Sequence, residues 1–152
     1  MSDNSPEAIF QNKILMTTVA VWFIAQSIKV VLGVWRERRF NFKWLIGTGG
    51  MPSSHAAGVA ALATSCGLYA GFISVSFALA AVFALVTMFD AQGVRRSAGQ
   101  QAGILNQMIE DIYAHQAFRP ERLFELIGHT PLQVLIGALL GVFLAVFFYR
   151  IW

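Results

Sequence analysis

"ILMTTVAVWFIAQSIKVVLGV", Ile14 to Val34, is an apolar run whose sole charge is Lys29. About twenty such residues wound into an α-helix reach ~30 Å, the thickness of a bilayer's hydrocarbon core. The run therefore predicts a transmembrane span, and the rest of the chain repeats the theme. Ala56 to Phe89 is apolar almost throughout. It is too long for one crossing and suits two short helices turning near "YAGFIS". Leu132 to Trp152 forms a last apolar run ending in "VFFYRIW". The expected fold is all-α: a polytopic membrane bundle of about four helices, near 14–35, 54–70, 72–89 and 131–150, forming one integral membrane domain over 1–152. Composition agrees, since 57% of residues are hydrophobic and 12% charged, against a usual charged share of about 25%. The one cysteine, Cys66, excludes a disulfide within the chain and reads as a small buried hydrophobe. A net charge of +3 is too small to suggest nucleic acid. No removable leader is expected, because the first run is long, carries Lys29 and lacks a small-x-small site after it.

Between the third and fourth runs lies a polar insertion, about 91–129. Within "GQQAGILNQMIEDIYAHQAF", Ile104, Leu105, Met108, Ile109 and Ile112 recur at helical spacing, which predicts an interfacial amphipathic helix lying on the membrane surface and covering whatever lies beneath. His115 falls in this stretch without companions and reads as structural. The first connection carries Arg36, Arg38, Arg39 and Lys43, and the insertion carries Arg95, Arg96, Arg119 and Arg122. An even number of crossings separates these two connections, so they share a side. By the positive-inside rule that side is the cytoplasm, with both termini outside. The cytoplasmic membrane of a bacterium is the expected location.

This topology gathers the unusual residues at one end. Lys29 and Arg36 close the first span there, "GGMPSSH" opens the second, "FDAQGVRR" closes the third and "GHTP" opens the fourth. Lys29 and Arg36 are two helical turns apart and so project from nearly one side. Cations on a membrane helix are costly and usually face an anion. In "PSSH" and "HTP" a proline suited to the first helical turn joins a capping hydroxyl, leaving backbone N–H groups free to face an anion. His55 and His129 thus stand at two helix starts, among cations. A ligand carrying two or more negative charges fits, and a histidine beside it can be a nucleophile, a general acid or a hydrogen-bond donor.

With these residues in view, the chain resembles the type 2 phosphatidic acid phosphatase superfamily, whose members include lipid phosphatases and vanadium-dependent haloperoxidases. It is most similar to that superfamily's divergent small bacterial and plant branch. The first motif, Lys, six residues, then Arg-Pro, is matched by Lys29 and Arg36 with Glu37 in place of proline. Pro52, Ser53, Ser54 and His55 match Pro-Ser-Gly-His. The third motif's arginine falls on Arg95 or Arg96 and its histidine on His129, while Gln133 stands where aspartate is usual. The divergent branch is suggested by "GGMPSSH", "DAQGVRR", "LN" and "GHTP" in order.

The resemblance implies a metal-independent, cofactor-free phosphoric monoester hydrolase working through a phosphohistidine. His129 would attack phosphorus and His55 would protonate the leaving alkoxide. Lys29, Arg36, Ser53, the Ser54 backbone, and Arg95 or Arg96 would hold the phosphate. Asp90 or Glu125 would replace the missing aspartate. The expected substrate is a phosphomonoester or diphosphate of a lipid: phosphatidylglycerophosphate, phosphatidate or a polyprenyl phosphate on the cytoplasmic leaflet. The expected partners are that substrate and the surrounding membrane lipids, with a homodimer compatible with so few spans. The alternatives are a non-catalytic lipid-phosphate binding or assembly protein that kept the anion pocket, metal-assisted hydrolysis through Asp90 with Asp111 or Glu110, and a transporter or channel.

Overall fold

The computed structural model describes residues 6–38, 50–113 and 128–152, without the side chains of 94–96, 111 and 113. After a short 3-10 turn, Pro6–Gln11, come five helices: α1 (Lys13–Glu37), α2 (Ser54–Ala70), α3 (Val75–Gln92), α4 (Val94–Tyr113) and α5 (Pro131–Ile151). No strand occurs among the described residues. Three helical stretches are long and apolar enough to cross a membrane: α1, the run Val75–Glu110 through α3 into α4, and α5. With 17 residues, α2 is shorter, about 25 Å at the usual rise. Its position explains why that length is tolerated. α2 packs against α1, α3 and α5, and only Ala70 at its end is exposed. A helix sheltered by its neighbours has no lipid thickness to match.

Small residues make this central packing close. Ala56, Ala57, Ala60 and Ala61 of α2 are all buried. On α5, Gly137 and Gly141 form a Gly-x-x-x-Gly pair, the pattern by which membrane helices bring their backbones together. A β-carbon at Gly137 would collide with the Ser53 carbonyl oxygen, and one at Gly141 with that of Ala57. Ser53 faces Gly137 and Ala57 faces Gly141, so α2 and α5 run parallel and begin at the same end of the bundle. Ala61 and Ala145 continue the seam one turn further, within a core shared with Val21 and Ala25 of α1. α1 runs the other way: Lys29, near its end, lies beside Gly50 just before α2, and Lys13 at its start donates to the Trp152 carbonyl 2.6 Å away.

The turn after α2 is sharp. Gly71 has φ 91°, a value side chains resist, and the Phe72 ring folds back onto Gly67, where a β-carbon would overlap it. Ser74 caps α3 by accepting from the Phe77 N–H at 3.2 Å, which starts that helix at Val75 rather than the expected 72. α3 buries Ala80, Ala84 and Ala91 toward the core and exposes Val75, Leu79, Val82, Phe83, Val86 and Phe89, as a lipid-facing helix does.

The amphipathic helix within the insertion is present, and its placement differs from the expectation. α4 starts at Val94, separated from α3 by Gly93 alone, so it extends the third helix instead of standing as a separate element. Among the described helices it packs on α3 only. Ile104, Leu105, Met108 and Ile112 are exposed, while Asn106 is buried. The physical reason lies in Gly93, whose φ −89° and ψ −72° remain right-handed and carry the chain through without a break. His115 and the remainder of the insertion to 127 lie outside the described residues.

Candidate functional site

The parallel start of α2 and α5 places two histidines side by side. His55 lies in the first turn of α2 and His129 just ahead of α5; their ring centroids are 6.4 Å apart and the planes tilt by 57°. His129 is 2% exposed, and His55 is half-buried. The His129 backbone N–H donates to the Ala91 carbonyl at 3.1 Å, which ties this histidine to the end of α3.

Each helix start is capped by a hydroxyl. Ser53 Oγ accepts from the Ala56 N–H at 3.3 Å, and Thr130 Oγ1 accepts from the Gln133 N–H at 3.4 Å. Ser53 and Ser54 are both buried. Between the two starts runs a direct backbone link: the Ser53 N–H donates to the Gln133 carbonyl at 3.2 Å. Glycine earns its place before α2 as well. Gly50 has φ 88°, and a β-carbon there would sit 3.2 Å from Lys29 Cγ. The Lys29 stem therefore runs across the loop that leads into Met51 and Pro52, and the residue is 7% exposed.

Of the residues selected from sequence, Lys29, Ser53, Ser54, His55 and His129 come together at this end. Arg36 is exposed in the last turn of α1, unlike the buried Lys29 two turns earlier. Asp90 lies at the end of α3, beside the Ala91 that holds His129. It also borders the exposed apolar face formed by Val82, Leu85, Val86 and Phe89 of that helix. Arg95 and Arg96 occupy the first turn of α4, and their side chains lie outside the described residues, as does Glu125 altogether. Among the described residues, no group of three or more His, Cys, Asp or Glu converges as a metal site would require.

The residue that sequence reasoning missed is Gln133. Its Oε1 lies 3.3 Å from His129 Nδ1 and accepts from the Thr130 N–H at 3.0 Å. Gln133, where the sequence resemblance led to the expectation of an aspartate, thus contacts the histidine itself, through an amide. A signal was present: Thr130-x-x-Gln133 is the capping-box spacing, in which the fourth residue's side chain turns back to the cap.

Residues 10–144 match the sequence model of the divergent PAP2 family, the abbreviation standing for type 2 phosphatidic acid phosphatase. The chain belongs to the divergent PAP2 family. A relative in Bacillus subtilis (strain 168), the uncharacterized membrane protein YuiD, is 40% identical over 141 residues, covering 86% of this chain and 89% of that protein. No solved structure matches the chain. The divergent PAP2 match spans both histidines, both capped helix starts and Lys29. It joins this chain, a membrane protein, to a branch related to the lipid phosphatases.

Proposed function

We propose that the protein is a lipid-phosphate phosphatase whose site faces the cytoplasm, with both termini outside. The observation that carries this reading is the pair of imidazoles 6.4 Å apart at two parallel helix starts. Rings with centroids this close can both reach a single phosphoryl group, one as nucleophile and one as acid. The helix starts supply N–H groups to its equatorial oxygens, and Lys29 supplies positive charge. In the first step the Nε2 lone pair of His129 forms the N–P bond while the P–O bond to the lipid alkoxide breaks. Protonated His55 gives its proton to that oxygen. Water then attacks the phosphohistidine, passing a proton to His55 as the P–N bond breaks and inorganic phosphate leaves. Arg36 and Arg95 or Arg96 complete the phosphate cradle. Preference for a lipid draws support from the apolar face of α3, where Val82, Leu85, Val86 and Phe89 lead to Asp90. Candidate substrates are phosphatidylglycerophosphate, phosphatidate and polyprenyl phosphates on the inner leaflet.

The test is phosphate release from a panel of these lipids by the purified protein in detergent, comparing wild type with His129→Ala. Release by wild type that the substitution abolishes is the expected result; equal release from both removes the nucleophile assignment. One observation favours a second reading, a binding protein without turnover: the partner of His129 is a neutral amide where a carboxylate is usual in the superfamily. Saturable lipid-phosphate binding with no release from any member of the panel would select it.

A further inference from the structure

The geometry around Gln133 fixes more than a helix cap. The Thr130 backbone N–H can only donate, so the Gln133 atom 3.0 Å from it is the amide oxygen and not the NH₂ group. That same oxygen lies 3.3 Å from His129 Nδ1. An amide oxygen can only accept, so Nδ1 carries the hydrogen. In a neutral imidazole the lone pair then resides on Nε2. We propose that Gln133 is a positioning residue that holds His129 in the Nδ1–H tautomer and orients its ring without bringing a negative charge beside it.

The proposal deepens the phosphatase reading, on which its catalytic consequence rests, although the tautomer itself does not depend on that reading. A carboxylate at this place would hold the same tautomer and also stabilise the imidazolium, making the ring protonate at higher pH. The amide does the first without the second. Nε2 therefore stays unprotonated to lower pH than it would beside a carboxylate, and the acid limb of activity lies correspondingly lower. The bury-and-hold arrangement is tight, since His129 is 2% exposed and its own N–H is bound by the Ala91 carbonyl at 3.1 Å. Gln133 acts on the second helix start as well, through its carbonyl on the Ser53 N–H at 3.2 Å. One residue thus aligns His129 and anchors the serine that opens α2. Among the described residues, the other titratable groups at this end of the bundle are His55 on α2, Lys29, Arg36 and Glu37 on α1 and Asp90 on α3. Changing position 133 leaves all of them in place, so a difference between variants reports on position 133.

The experiment is histidine-selective ¹⁵N NMR of the full-length protein in detergent. The chain has three histidines, and the His129 signal is assigned by its loss in His129→Asn. Wild type at about pH 8 should show His129 with a protonated Nδ1 and an unprotonated Nε2. Gln133→Glu keeps both acceptor contacts and the cap, and should move the His129 titration upward by about one pH unit, with the acid limb of phosphate release following. Gln133→Leu should lose the single tautomer. A wild-type Nε2–H tautomer, or a titration that Gln133→Glu leaves unmoved, overturns the proposal. If the resonances respond as stated while no lipid phosphate is hydrolysed, the positioning role stands and the phosphatase reading falls.

Discussion

At one end of the bundle Lys29, Ser53, Ser54 and His129 are buried, and hydrogen bonds join α2, α3 and α5 through Ser53, Gln133, His129 and Ala91. At the other end the hydroxyls of Thr17, Ser65 and Tyr69 are also buried, yet none has a hydrogen-bond partner among the described residues. The same helices run between the two ends, so the difference does not come from the scaffold. It comes from what the polar atoms connect. Around the histidines two backbone hydrogen bonds, from the Ser53 N–H to the Gln133 carbonyl and from the His129 N–H to the Ala91 carbonyl, join separate chain segments. Toward the far end these buried hydroxyls make no such link among the described residues, and the bond that does join helices there, Lys13 Nζ to the Trp152 carbonyl, is exposed. Polarity inside a membrane bundle therefore marks a site only where it links elements.

Substitutions at the two ends should separate accordingly. The largest expected effect is on chemistry: His129→Ala should lower phosphate release by about 10³-fold or more, with the helical circular dichroism of wild type retained. Next is Gly141→Leu, on the seam that sets the two helix starts side by side. The new side chain meets the Ala57 backbone rather than a movable side chain, and about 3 kcal/mol of stability should be lost, read by thermal unfolding in detergent. Lys29→Met keeps the length of the stem and removes the charge; a fall of about 10²-fold in phosphate release is expected, without a matching loss of stability. The smallest effect belongs to the far end. Thr17→Val replaces an unpartnered buried hydroxyl and should leave activity unchanged while raising stability by less than about 1 kcal/mol. A Thr17→Val protein that lost activity would erase the distinction between the ends.

Much of the fold was legible because lipid imposes a simple rule on sequence: long apolar runs become helices, and the polar breaks between them become ends. The gathering of Lys29, Ser53, Ser54, His55 and His129 followed from counting crossings. Three features were not legible, for different reasons. The substitution of glutamine for aspartate at 133 reads as a missing group, since sequence shows chemistry and not reach; the search for a replacement carboxylate turned to Asp90 and Glu125. The structure places the amide of Gln133 itself on His129. The continuation of α3 into α4 was hidden because Gly93 reads as a breaker, while its backbone angles remain helical. The contact of Gly137 and Gly141 with α2 could not be read either, because a small-residue pattern does not name its partner.

One consequence follows from the sheltered place of α2. The outer helices meet acyl tails and must tilt or stretch their ends when the bilayer thickens or thins. α2 rides inside them, and its register against α5 is fixed by glycine pressed on peptide carbonyls. A change in lipid composition can thus alter how a headgroup arrives at the two imidazoles while the gap between them stays the same.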